Sequence, residues 1–536
     1  MSLLLTLLPI LVIVLLLVVF KRSADVSGIV GLLVIAAVAM VFFHTSLEVV
    51  ARSTLAGLIK SFSVSLIVAT SLLQMALMEK TGALKRIIVF IKTIARENRA
   101  VQIILINIGF GTLMVAVGAT PVSLLPPILL AMGYSTYVSI ALPAIGYDSL
   151  CTYALLGAPI VVFVDIANSF LTKAGILTAG AAITLSDAGQ VFAWFLPLTS
   201  VMIGLAMLWI TGRGKGVRQG LLPSLVMGVV IGVIAYFTSK VDNLVVLTGV
   251  FCGVGVILAM LAYLKVTGKP IIDRSSLTEE ERQLERDYPL WRALSPWILL
   301  IVLILVINVP QPIFNELYRV LLFPIEGLSA DGSAIATRFL WNAYTWILVS
   351  TVLSLFFLRP TGAQLKDTAR AWLKRAPRPV FAAAIFFAIG EVMNLSGYDM
   401  ASGSYATDSM IKVLADASAG LFHSAYGAIV GVIGLFGGFL TGSEASTIAM
   451  FAKYAMTTAT NLGLGQHSIL IIVAGLAFGG GLASVISPAK LQNAAASIDR
   501  IGEENKVIRV AFAFSLLFIA ALSVFLVVML ALAGGR

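Results

Sequence analysis

Residues 437–447 read GGFLTGSEAST. One carboxylate, Glu444, stands there among four hydroxyls, Thr441, Ser443, Ser446 and Thr447, between the apolar runs AYGAIVGVIGLF and IAMF. A charged side chain in membrane-like sequence is costly and is usually kept for function. Such a carboxylate can take up a proton or pair with a cation. Hydroxyls and unpaired backbone N–H groups around a Gly can hold a small anion. A Ser/Thr-rich packing interface is the alternative reading. It accounts for the hydroxyls but leaves Glu444 unexplained.

Other residues offer the same chemistry. Gly118 and Thr120 lie in VGATPVS, Ser487 in VISPAK, and Gly442 beside Ser443. Asp148 in IGYDSLCTYALLGAP and Glu391 in AIGEVMNLSGY are further candidates for coupling, with Asp165, Asn394, Asp399 and Asp408 nearby in sequence. Lys490 follows ISP. It is either a counter-charge to a substrate carboxylate or to Glu444, or the start of a basic loop. His423 and His467 read as loop residues. No metal-ligand spacing, phosphate loop or nucleophile elbow occurs, which ranks an enzyme second and an anion channel third.

The elements that must position these groups are set by composition. The 536 residues are 59% hydrophobic and 12% charged, with a mean hydropathy of +1.02. Apolar runs of membrane-spanning length recur along nearly the whole chain, the mark of a polytopic helical membrane protein. The net charge of +10 is accounted for by the positive-inside rule, without nucleic acid. Cys151 and Cys252 form no disulfide framework or metal motif.

Basic residues cluster at 21–22, 80–99, 213–218, 265–292, 366–378 and 490–508. Placing these in the cytoplasm puts the N-terminus outside a multi-pass protein of the cell membrane. In 265–292, Ser276 and Thr278 are candidate N-caps of a short helix. The opening apolar run has no basic residue before it and no cleavage site after it, so it reads as a first span.

Segments 54–84 and 368–400 share a plan: a lead-in with a Lys, a long apolar run, then a hydroxyl–Gly pair. The charge rule orients them oppositely. Each is followed by two polar breaks, at 117–123 and 155–160 in the first half and at 440–446 and 485–490 in the second. Gly/Pro interruptions at matching places in inverted halves point to a transporter's binding site. The exposed N–H and C=O groups there must be buried in protein or face water. The expected organisation is N-terminal spans 1–53, inverted repeat 54–211, connecting spans 212–366 with the linker 265–292, inverted repeat 367–510 and a C-terminal span 511–536. The breaks at 118–121 and 441–446 are expected to approach each other near the midplane.

In this order, EKTGAL, GATPVSLLPPILLAMGY, VMNLSGY, GGFLTGSEAS and GGGLASVISPAKLQNAAAS resemble the lactate permease family. The resemblance runs from about residue 54 to about 510 and is closer in the second half. It implies proton-coupled transport of lactate, glycolate and related 2-hydroxy monocarboxylates. It also implies an all-α fold with broken helices and re-entrant hairpins, divided into a scaffold and a transport domain. The sequence departs from the family at three places. Glu444 stands where Asn or Asp is usual. The strings GFGT and GATP are separated, with no acid nearby. Lys490 follows ISP.

The expectation is therefore a proton-coupled symporter of a small organic anion, embedded in the lipid bilayer, with no bound cofactor or metal, and with a homodimer left open. The binding set is Gly118, Thr120, Thr441, Gly442, Ser443, Ser446 and Ser487, and the coupling set is Glu444, Asp148 and Glu391. The alternative is a sodium-coupled carrier of a dicarboxylate or sulfonate.

Overall fold

The computed structural model describes residues 2–534 except 120, 178–180 and 501; the side chains of residues 123, 147, 148, 484, 488, 489 and 505 also lie outside the description. Ten described helices are long and apolar enough to cross a membrane, eleven with the bent pair Ser295–Asn308 and Gln311–Val320, which meet at 85°. Strand structure among the described residues is confined to two short hairpins, Pro324–Ile325 with Ile335–Ala336 and Tyr398–Asp399 with Ser404–Tyr405.

One of the ten is itself a hairpin. The helix Phe195–Ser239 turns back at Arg213, whose φ is 51° and ψ −145°. Beyond the turn, Gly220 packs on Leu208 and Gly228 on Val201, so the two arms run antiparallel. The basic residues 213–218 thus sit at a tip, where the charge pattern put them. The Arg213 guanidinium caps the Trp209 ring at 4.3 Å.

Residues 45–80 and 364–397 form an antiparallel pair. The Gly397 N–H donates to Thr45 Oγ1 at 2.9 Å. Gly57 meets the Ala388 backbone. Trp372 Nε1 donates to Ala69 O at 2.8 Å and Gln364 Nε2 to Lys80 O at 3.0 Å. The register holds along the helices Leu47–Lys60 and Phe62–Lys80 on one side and Gly362–Arg375 and Pro377–Leu395 on the other.

The polar linker carries the helix Glu279–Asp287, capped by Thr278 with Glu281 reaching back to the cap N–H. It docks on the basic 80–99 segment. Lys85 reaches Glu280 at 2.7 Å, Lys92 reaches Glu281 at 2.5 Å and Arg96 reaches Asp273 at 3.0 Å. A backbone bond from Ala95 N to Ile271 O at 3.0 Å adds to these.

Candidate functional site

All four polar segments read from the sequence are breaks in helices. At the first, the helix Gly111–Ala116 ends, Gly118 turns left-handed with φ 87°, and a helix begins at Pro121. The second break runs through a 3-10 segment, Tyr147–Tyr153, into the helix Ala154–Lys173. There Leu155, Leu156 and Gly157 have φ of 53°, 55° and 75°. Two leucines in the left-handed region are a strained arrangement that tertiary contacts must hold.

The third break separates Tyr426–Thr441 from Glu444–Asn461, with Gly442 left-handed at φ 67° and Ser443 as N-cap. The fourth is a short 3-10 turn, 484–486, after Gln466–Ala483 and before Pro488–Ala496. The 426–441 and 466–483 helices press backbone to backbone. A Cβ at Gly434 would overlap Leu476 O, and one at Gly438 would overlap Gly480 O. Small residues permit such approach in membranes and hold the third break against the fourth.

At the third break the hydroxyls bind the turn itself. Thr441 Oγ1 donates to Ser443 O at 2.9 Å and lies 3.2 Å from Thr447 Oγ1. Thr447 Oγ1 donates to Ser443 O at 2.8 Å. Ser443 Oγ accepts from Ser446 N at 3.4 Å. A Cβ at Gly442 would lie 3.0 Å from Ser487 Oγ, so the two breaks of the second half meet. Ser446 Oγ is buried without a hydrogen-bond partner among the described residues, and Ser487 is buried.

Glu444 opens the 444–461 helix, where a carboxylate suits the N-terminal dipole. It is 2% exposed. Its Oε1 accepts from Thr152 Oγ1 at 2.6 Å. Its Oε2 lies so close to Gly481 that a Cβ there would be 2.7 Å away. Thr152 belongs to the second break of the first half and Gly481 to the end of the helix that leads into the fourth break, and Ser487 of that break meets Gly442, so three of the four breaks come together around Glu444.

The breaks at 118–121 and 441–446, expected to approach each other, are linked through the 147–157 segment. The atoms nearest a Cβ at Gly118 belong to Ser71, Ile347 and Leu155. The 147–157 segment bridges the two breaks, bonded to one side by Thr112 and Ser149, whose hydroxyls are 3.2 Å apart, and to the other by Thr152. The 154–173 helix packs on both the 111–116 and the 444–461 helices. Thr120 lies outside the described residues, as does the side chain of Asp148.

Glu391 is buried away from this cluster, between two lysines. Lys60 Nζ is 3.0 Å from its Oε2 and Lys453 Nζ 3.3 Å from its Oε1. Lys453 is nine residues after Glu444 on the same helix, about 13 Å along it. Lys490 is half-buried in the first turn of the 488–496 helix. Asp165 is held by Arg338 at 3.0 and 2.9 Å. Asp399 caps a hairpin turn through the N–H groups of Ala401 and Ser402 at 3.1 Å each, and Asp408 pairs with Lys412 at 3.0 Å. Thr152, Lys453 and Arg338 were not singled out from sequence, and Lys60 only as the lead-in Lys of segment 54–84. The signal for Lys453 was present in the lone cation of AMFAKYAM.

The chain matches the family model described as L-lactate permease over residues 2–533. It is 29% identical over 215 residues to the L-lactate permease of Escherichia coli (strain K12), a stretch that covers 40% of this chain and 36% of that relative's length. It is 23% identical over 485 residues to the glycolate permease GlcA of the same strain, covering 80% and 78% of the two chains. With the L-lactate permease of Halalkalibacterium halodurans it shares 21% identity over 522 residues, covering 95% and 93%.

Proposed function

The chain belongs to the L-lactate permease family, and on that premise we propose that it is a secondary active carrier, not an enzyme. It moves a small 2-hydroxy monocarboxylate of the lactate or glycolate type across the cell membrane together with protons. The names of the relatives support the substrate class. One observation carries the mechanism: a buried carboxylate, Glu444, at the meeting of three helix breaks, with Thr152 bonded to it at 2.6 Å.

In this reading Ser443, Ser446, Ser487 and the backbone of the breaks around Gly118 and Gly442 hold the anion, and Glu444 carries the proton. Inward movement of a carboxylate opposes a negative-inside potential by about 2.3 kcal/mol per charge per 100 mV. One proton per anion removes that opposition, and more than one turns the potential to advantage. The antiparallel register of 45–80 with 364–397 supports two inverted halves, and the element order of helix, break, turn and break in each half agrees with it. The docking of the linker on the basic 80–99 segment fits a common cytoplasmic side, with the N-terminus outside.

The test is uptake of radiolabelled L-lactate, glycolate, dicarboxylates and sulfonates into proteoliposomes. An imposed inward proton gradient should drive accumulation of L-lactate or glycolate without sodium. Accumulation that follows a sodium gradient, or a dicarboxylate in preference, would overturn the reading.

A further inference from the structure

A cavity of about 190 Å³ lies beneath the segment 333–342, lined by Lys60, Lys453, Glu391, Arg338, Asp165 and Ser63. That is more than about ten times the 10–15 Å³ needed to admit one water, enough for a small carboxylic acid. Three cations and two carboxylates face it, a formal excess of one positive charge. Arg338 and Asp165 neutralise each other, both carboxylate oxygens accepting from the one Nη1. The excess therefore rests on the other three. Glu391 is the sole acidic partner of both Lys60 and Lys453 among the described residues.

The side chains of Glu391 and Lys453 are only 9% and 14% exposed. Charge taken out of water at that depth is costly unless fully paired. Each ammonium has three donors, and a single carboxylate cannot balance two of them. Lys60, 29% exposed, keeps contact with water, so the spare positive charge is within reach of an anion from solution. The location fits traffic with the break cluster. The 444–461 helix carries Glu444 at its start and Lys453 on the cavity wall. The 154–173 helix beside it begins two residues after Thr152 and carries Asp165. The two helices run from the break cluster to the cavity.

We propose that this cavity is a second anion site, an antechamber in which Lys60 and Lys453 receive the carboxylate of a small monocarboxylate on its way to or from the helix breaks. Glu391 is its built-in competitor: it occupies both ammoniums when the cavity is empty and shares them when an anion arrives. The identity of the anion rests on the carrier reading above; the existence of the site does not.

The test is equilibrium binding of L-lactate and of formate to the purified full-length protein, with thermal unfolding measured with and without each anion. Lys453→Gln is expected to weaken binding about tenfold or more, the scale of a lost hydrogen bond between charged groups, and Lys453→Arg to retain most of it. Glu391→Gln is expected to tighten binding and to make thermal stability depend strongly on added anion. A triad that only braces the helices gives the opposite sign. Glu391→Gln would then lower stability, with no rescue by L-lactate or formate, and Lys453→Gln would leave affinity unchanged. That result overturns the proposal even if proton-driven uptake stands. If instead L-lactate neither binds nor is transported while formate binding still depends on Lys453, the substrate assignment falls and the anion site survives.

Discussion

Thr152 and Glu444, 292 residues apart in the chain, share a buried hydrogen bond of 2.6 Å in which the hydroxyl donates and the carboxyl group accepts. The bond ties a turn of the first half to the first residue of a broken helix in the second. A movement of one half against the other must stretch or remake it.

Glu444→Gln is expected to lower proton-driven uptake at least tenfold while leaving counterflow exchange of substrate largely intact. A group that carries the proton is needed only when protons cross. Proteoliposomes loaded with unlabelled substrate measure exchange, and an imposed pH gradient measures uptake. An equal fall in both would make Glu444 a binding or structural residue.

Ser443→Ala is expected to weaken substrate affinity about fivefold, near 1 kcal/mol, the scale of one hydrogen bond. Lys490→Gln should do less. Ser443 is also the N-cap of its helix, so the thermal midpoint will fall in Ser443→Ala as well. Ser443→Thr separates the two roles, since it keeps both cap and hydroxyl. Affinities unchanged in Ser443→Ala, with binding abolished in Lys490→Gln, would move the anion from the half-helix to the lysine.

Gly438→Ala is expected to destabilise the protein by about 1–3 kcal/mol, the usual cost of forcing extra volume into a packed core. The new methyl would meet Gly480 O, a backbone atom that cannot step aside. Gly420→Ala is the control: its Cβ would meet nothing within 4 Å, and alanine favours the helix around it. The readout is the thermal midpoint of the detergent-solubilised protein. Equal midpoints for the two variants would mean that the helices are free to separate.

The linker should loosen in acid. Burial works to raise the Glu281 carboxyl, but the Lys92 hydrogen bond and the Thr278 N–H outweigh it and hold the group below its ordinary 4.5. A carboxylate lowered on folding contributes stability above its unfolded value and loses it as pH falls through the folded one. Docking of residues 267–287 should therefore be intact at pH 7 and weaken below about pH 4.5, with proton uptake. Limited proteolysis across that range checks it. In Lys92→Gln the step should shrink and move to higher pH.

The breaks were legible in the sequence because Gly and Pro inside long apolar runs have few other uses. The cap at Thr278 was legible from its spacing to Glu281. What could not be read is which break meets which. Thr152 reaches Glu444 because the 154–173 helix packs on the 444–461 helix, a choice made by the shapes of two whole helices. The same holds for Lys60, Glu391 and Lys453. Each is a single charge on its own helix, and only the antiparallel register of 45–80 with 364–397, with the 444–461 helix laid against it, brings the three together. Composition gives a polytopic helical membrane protein, but the partners are set by packing over hundreds of residues.

That register also has a consequence in time. Gly57 and Ala388, which touch in the finished protein, are made 331 positions apart. At about 5–20 residues per second, the ribosome takes roughly 15–65 s to supply the second after the first. Through that interval the 47–60 and 62–80 helices are in the bilayer without their partner, and Lys60 waits without Glu391. The nascent first half must be tolerated by lipid or held by the insertion machinery, and the protein closes only when its last third has emerged.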